Sequence, residues 1–102
     1  MARSVTSERL TLALIELDPG AQVPEHNHDN EQLGFLLDGS MTFTIGDEVA
    51  EIVPGSSWRI LANVPHSVVA GPQGAVLVEV FAPARHDWGA IPKGEPGPGR
   101  WP

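Results

Sequence analysis

No window of this chain sustains a helical period of 3.6 residues without meeting a Gly, Pro, Asn or Asp, and that exclusion constrains the fold more than any other feature. What recurs instead is a series of short apolar stretches cut by turn residues. The clearest is "MTFTIGDEVAEIV", in which Met41, Phe43 and Ile45 alternate with Thr42 and Thr44 before Gly46-Asp47 supplies a hairpin turn. "DPG" at 18–20, "DGS" at 38–40 and "VPGSS" at 53–57 punctuate the other strands. The chain reads as all-β. Strands are expected at 10–17, 21–24, 32–37, 41–45, 49–53, 57–60, 67–70 and 76–81.

Length and composition allow one compact core and no more: 102 residues, 41% of them hydrophobic. The expected organisation is a flexible N-terminus over residues 1–8, a barrel over 9–88 and a tail over 89–102. Two strands, "LTLALIEL" and "AVLVEVF", are apolar on both faces, which an isolated antiparallel sheet would not tolerate. A closed or sandwiched barrel covers one face and a second copy of the chain is expected to cover the other, making a homodimer. The tail, "GAIPKGEPGPGRWP", holds eight Gly or Pro among fourteen residues and cannot carry a ladder of hydrogen bonds. It reads as a loose end or as an arm laid on a partner, with Trp101 as its sizeable apolar anchor.

Charge and residue usage exclude several classes of function. A net charge of −7, with 13 acidic and 6 basic side chains scattered along the chain, argues against nucleic acid or an anionic membrane as a partner. No stretch has the apolar core of a signal peptide or approaches the roughly 20 apolar residues needed to span a bilayer, so a cytoplasmic location is expected. The absence of cysteine removes disulfides, thiolate metal sites and cysteine nucleophiles together. Any metal must be held by His, carboxylate or amide.

Three of the four histidines precede or start expected strands. Alternate residues of a strand share a face, so His26 and His28, in "PEHNHDNEQLG", can aim both imidazoles at one point while Asn27 faces away. Two solvated surface histidines are the plain alternative. His66, entering a strand after "NVP", offers a third imidazole.

These residues resemble the cupin superfamily of small β-barrels. Its first motif runs Gly, five residues, His-x-His, three or four residues, Glu, six residues, Gly, and Gly20, His26, His28 and Gly39 fall at those intervals. The position seven before Gly39 is Gln32, not Glu31. Of the second motif Gly55 and His66 match, while Leu61, Asn63 and Ala70 stand where Pro, Gly and Asn are usual. The resemblance implies a single small cupin barrel holding one divalent transition ion, with zinc, nickel, manganese and iron all open, on His26, His28, Gln32 and His66. Parity agrees with the count, because adjacent strand residues face opposite sides and Glu31 and Gln32 cannot both reach the ion. Three imidazoles and an amide leave the ion its full charge, which suits polarising a substrate oxygen and lowering the pKa of water more than it suits holding an oxidised state.

Gln at this position, with "EQLGFLLDGSMTFTIG" and "NVPHSV", is similar to small bacterial cupins that include pectin-degradation proteins and aromatic polyketide cyclases, both non-redox. "FAPARHDWGA" resembles a segment that pectin-degradation cupins carry at the barrel mouth. That likeness implies Asp87 as a proton carrier, with His86 in competition, and Trp88 stacking on a substrate ring; a polar turn closed by an aromatic lid is the plain alternative. Arg59 reads as a surface arginine sooner than a holder of a substrate carboxylate, and Glu79 as an outward residue of an edge strand sooner than a pocket acid. Gly34 is expected to keep space open beside the ion, and Met41, Phe43, Trp58 and Phe81 to fill core or dimer contact. The leading reading is a non-redox isomerase, lyase or cyclase acting on a small oxygenated molecule such as a uronate or a polyketide-like carbonyl compound. A metal-dependent dioxygenase and a non-catalytic sugar- or metabolite-binding module stand beside it.

Overall fold

In a computed structural model, residues 1–85 and the short strand Lys93–Gly94 are described. The described residues are all-β, as the sequence pattern predicts. The strands are β1 (Ala2–Thr6), β2 (Thr11–Leu17), β3 (Gln22–His26), β4 (Glu31–Ile45), β5 (Glu48–Ile52), β6 (Ser57–Ile60), β7 (His66–Ala82) and β8 (Lys93–Gly94). Among the described residues no helix is long and apolar enough to cross a membrane.

Two long strands organise everything else. The first half of β4 pairs with β6 and with the second half of β7, which pairs on with β2; the second half of β4 pairs with β5 and with the first half of β7, which also pairs with β3. Each long strand therefore belongs to two sheet layers. The crossing point is made by register shifts between Leu36 and Met41 and by Gly39 and Gly74, both with positive φ (82° and 77°). A Cβ on Gly39 would overlap the Gly74 carbonyl, so the two strands pass this closely because Gly39 lacks a side chain, while a Cβ on Gly74 would meet the Leu17 carbonyl. This corrects the expectation of separate strands at 32–37 and 41–45, and at 67–70 and 76–81. "DGS" bends a continuous strand; it does not end one.

The core lies between the layers. Leu36, Trp58, Ile60 and Leu77 from one layer pack on Met41, Phe43 and Ile52 from the other, with the Phe43 and Trp58 rings 5.3 Å apart. The expected Gly46-Asp47 hairpin is present, closing β4 onto β5 with Ile45 opposite Glu48.

Residues 1–8, expected to be a flexible end outside the barrel, instead contribute β1, which pairs antiparallel along β2 from Ala2↔Ile15 to Thr6↔Thr11. "ARSVT" carries little apolar signal of its own, and Val5 is exposed. Its place in the sheet comes from backbone hydrogen bonds offered by the free edge of β2, which side-chain patterning does not report.

Candidate metal centre

Three strand ends converge on one point. His26 closes β3, His66 opens β7, and the two are register partners across the ladder. His28 lies beyond β3 in the connection to β4, so it reaches the point through the turn and not by strand alternation as expected. The candidate ligand nitrogens of the three rings all lie within 4.8 Å of one another. Ring centroids are 5.7 Å (His26–His28), 4.2 Å (His26–His66) and 4.9 Å (His28–His66) apart.

Backbone carbonyls fix how each ring presents itself. Nδ1 of His26 donates to Pro24 O (2.8 Å), Nδ1 of His28 to Asn30 O (3.0 Å) and Nδ1 of His66 to Val64 O (2.9 Å). A neutral ring that donates from Nδ1 carries its lone pair on Nε2, so all three histidines turn an acceptor toward the same place. Burial lowers the pKa of His28, reinforced by the positive charge of Arg85 and opposed by the Asn30 carbonyl. Burial also lowers that of His66, against the Val64 carbonyl. Both rings are thereby held in the neutral form that binds a metal.

Gln32 faces this point from β4, buried at 4% exposure, while Glu31 beside it is exposed. Its Nε2 donates to Oε2 of Glu79 on β7. Among the described residues five buried side-chain polar atoms have no hydrogen-bond partner, and three are here: Nε2 of His28, Nε2 of His66 and Oε1 of Gln32. Converging buried acceptors without a donor are costly unless a cation satisfies them all, so the residues present fit a divalent ion.

Above the histidines opens a cavity of about 460 Å³, walled by Ile15, Leu17, Val68 and Leu77 and edged by Phe81 and Arg85. The Arg85 guanidinium sits 4.9 Å from the Phe81 ring centre, and its backbone N–H donates to the Thr11 hydroxyl (2.8 Å). Asn30 ties down the same stretch by donating to the Pro83 carbonyl.

Residues 13–81 match the cupin domain family. The chain belongs to the cupin family. This cupin is 29% identical over 83 residues to the pectin degradation protein KdgF of Dickeya dadantii, an alignment covering 80% of this chain and 76% of that one. It is 33% identical over 75 residues to the dimethylsulfoniopropionate lyase DddW of Ruegeria pomeroyi, covering 74% of this chain but 49% of the lyase. Oxalate decarboxylase OxdC of Bacillus subtilis is 32% identical over 91 residues, 78% of this cupin and 24% of the decarboxylase. The solved structure of KdgF from Halomonas sp. superposes with a TM-score of 0.80 over 84% of this chain and 80% of its own, at 22% identity, a likeness of fold. The single small cupin barrel is therefore the fold.

Two expectations about the site are overturned. Glu79 does not face outward: it is 6% exposed and lines the cavity, with Gln32 Nε2 and Trp58 Nε1 (3.1 Å) both donating to its Oε2. Burial raises its pKa to about 7, against the pull of those two hydrogen bonds and of Arg85. Glu79 shares a face with Phe81, but that residue is expected in core or dimer contact and the strand is apolar on both faces, so parity alone leaves the direction open. Gly34 does not hold space open beside the ion, because a Cβ there would overlap the Trp58 indole, which fills that space. Arg59 is exposed, as the surface reading requires. His86, Asp87 and Trp88 lie outside the described residues, as do residues 89–92 and 95–102 of the tail. Arg85, the described residue directly before them, lines the cavity.

Proposed function

We propose that this cupin is a metal-dependent, non-redox enzyme of isomerase, lyase or cyclase type whose substrate is a small oxygenated molecule such as a uronate. The observation that carries the reading is the convergence of buried, unpartnered acceptors from His28, His66 and Gln32 beside His26 at a cavity lined mostly by apolar side chains. His26, His28, Gln32 and His66 would hold one divalent transition ion, with zinc, nickel, manganese and iron as candidates. Held by four neutral donors, such an ion keeps its full charge and polarises a carbonyl, enolate or ring oxygen.

The chain's own residues supply the rest. Ile15, Leu17, Val68 and Leu77 exclude water from the walls, which strengthens every charge interaction inside. Arg85 places a cation at the rim, suited to a substrate carboxylate. Asp87 or His86 moves the proton and Trp88 stacks on a ring, a reading supported by the likeness of "PARHDW" to pectin-degradation cupins and by the position of Arg85 immediately before it. Names of similar proteins point the same way: a pectin degradation protein and a lyase.

The test is to incubate metal-loaded protein with an unsaturated uronate under nitrogen and follow loss of its double-bond absorbance. Turnover without oxygen supports the reading. Turnover that requires oxygen transfers it to a dioxygenase, and tight binding without turnover to a binding module.

We also propose a homodimer through the outer face of the β2–β7–β4 sheet. Val5, Leu12, Val80 and Leu33 form one row across four strands, and Leu14, Val78 and Phe35 the next. Val5, Leu12, Leu33 and Phe35 are exposed, 40% to 54% of each, so the face is apolar and left uncovered by the described residues. A second copy, whose matching face is equally apolar, is the occupant. Light scattering at micromolar concentration checks it, and a monomer mass would overturn it.

A further inference from the structure

Gln32 presents a problem that the histidines do not. A side-chain amide has two ends of nearly equal size and opposite hydrogen-bonding character, and nothing in its shape decides which end faces the three imidazoles. If the NH₂ faced them it would donate to an Nε2 lone pair, satisfying the site without a metal and blocking it. If the oxygen faces them, the site is a set of acceptors that a cation completes. The choice is made elsewhere in the protein.

We propose that Glu79 is a positioning residue that fixes the Gln32 amide with its oxygen toward the histidines, by accepting the hydrogens of its nitrogen. Oε2 of Glu79 takes the Gln32 Nε2–H, leaving Oε1 of Gln32 buried and without a partner. The same Oε2 takes the Trp58 indole N–H at 3.1 Å, so the carboxyl group is itself held in place. Register explains how three separated residues meet: Trp58, Gly34 and Glu79 lie opposite one another on β6, β4 and β7. Gly34 is the gap in that row. Its missing side chain lets the indole lie across β4 and reach Glu79, and a Cβ there would overlap the ring. Glu79 does not belong to the three-histidine cluster, so it acts through Gln32 and not as a further ligand. Supporting groups one bond removed from a ligand set tautomer and orientation at metal sites generally.

The inference rests on the metal reading above, and the experiment separates the two. Co²⁺ affinity of metal-free protein is measured by calorimetry, with the visible spectrum of the Co²⁺ form recorded, for wild type, Glu79→Leu, Gln32→Leu and the double variant, each checked for native circular dichroism. Glu79→Leu is expected to weaken Co²⁺ binding about tenfold to 100-fold and to change the spectrum toward that of Gln32→Leu. Made on top of Gln32→Leu, it should change affinity less than about twofold, because its route to the ion is gone. An equal loss in both backgrounds assigns Glu79 a general structural or field effect and overturns the proposal, as does no loss in either. Wild type that takes up no Co²⁺ overturns the metal reading and this inference with it.

Should Glu79→Leu not fold, the wild type answers by ¹⁵N NMR of its three glutamine side chains, Gln22, Gln32 and Gln73. Gln32 is expected to keep an exchange-protected NH₂ whose shift moves little when Zn²⁺ is added, since its nitrogen is already held. An unprotected NH₂ that reorients on adding Zn²⁺ overturns the proposal.

Discussion

The two faces of β4 obey opposite rules within one strand. Gln32, Gly34 and Leu36 point inward and are buried, while Leu33, Phe35 and Leu37 point outward and are exposed. By simple amphipathic logic the polar residue sits on the wrong side and the large apolar ones face water. Each face of an isolated chain is thus incomplete, and in a different currency. The inner face holds buried acceptors without a donor, and the outer face holds apolar area that the described residues leave exposed. The contrast teaches that inversion of the usual pattern marks a face needing a partner, and on the proposals above that is an ion inside and a second copy outside.

The two requirements are independent, and substitutions should separate them. The largest effect is expected from His66→Ala, which deletes a buried ring at the centre of the cluster: metal affinity should fall on the order of 100-fold or more by calorimetry, with the dimer mass unchanged. A dimer lost together with the metal would mean that the faces are coupled. Phe35→Asp is the mirror experiment. Placing a charge in the middle of the outer apolar rows should weaken dimerisation about 30-fold by sedimentation while leaving metal content intact.

Gln32→Glu sharpens the inner half. The new carboxyl loses the N–H given to Glu79 and sets two acids side by side, so metal-free protein should lose about 1–3 kcal/mol of stability at pH 8, recovered when an ion is added. An unchanged melting temperature would show that Gln32 and Glu79 do not act as a pair. The smallest effect concerns pH. Because burial holds His28 and His66 below the ordinary value of 6.5, both remain neutral as the pH falls to that value, and protons begin to compete with the ion only below it. Metal affinity should drop no more than about threefold between pH 7.5 and 6.5 and steeply thereafter. A steep loss already above pH 6.5 would trace to another group, Glu79 with its pKa of about 7 being beside Gln32, and would end the reading that these two rings set the profile.

Local chemistry was legible in the chain. The hairpin at Gly46-Asp47 and the two-faced strands follow from turn residues and alternation, which act over a few residues, whereas choosing Gln32 over Glu31 and joining His66 to His26 and His28 rested on the resemblance to cupins. β1 escaped because its pairing uses the β2 edge and not its own side chains. The fused β4 and β7 escaped because Gly39 and Gly74 look like turn ends until Gly39 is seen to lie against the Gly74 carbonyl and Gly74 against that of Leu17, neither leaving room for a Cβ.

Glu79 is the sharpest case of what tertiary structure alone decides. "AVLVEVF" is apolar on both faces, so its own sequence does not say which set of alternate residues turns inward. Register with β4 settles it, placing Glu79 opposite Gly34 and within reach of Gln32, 47 residues away in the chain. The amino-acid sequence by itself determined the ligand types and the strand class, because side-chain chemistry and alternation are properties of neighbours. Which end of an amide faces the site, and which acid holds it there, is settled by packing across three strands, because a buried acid is stable only where other strands bring it donors.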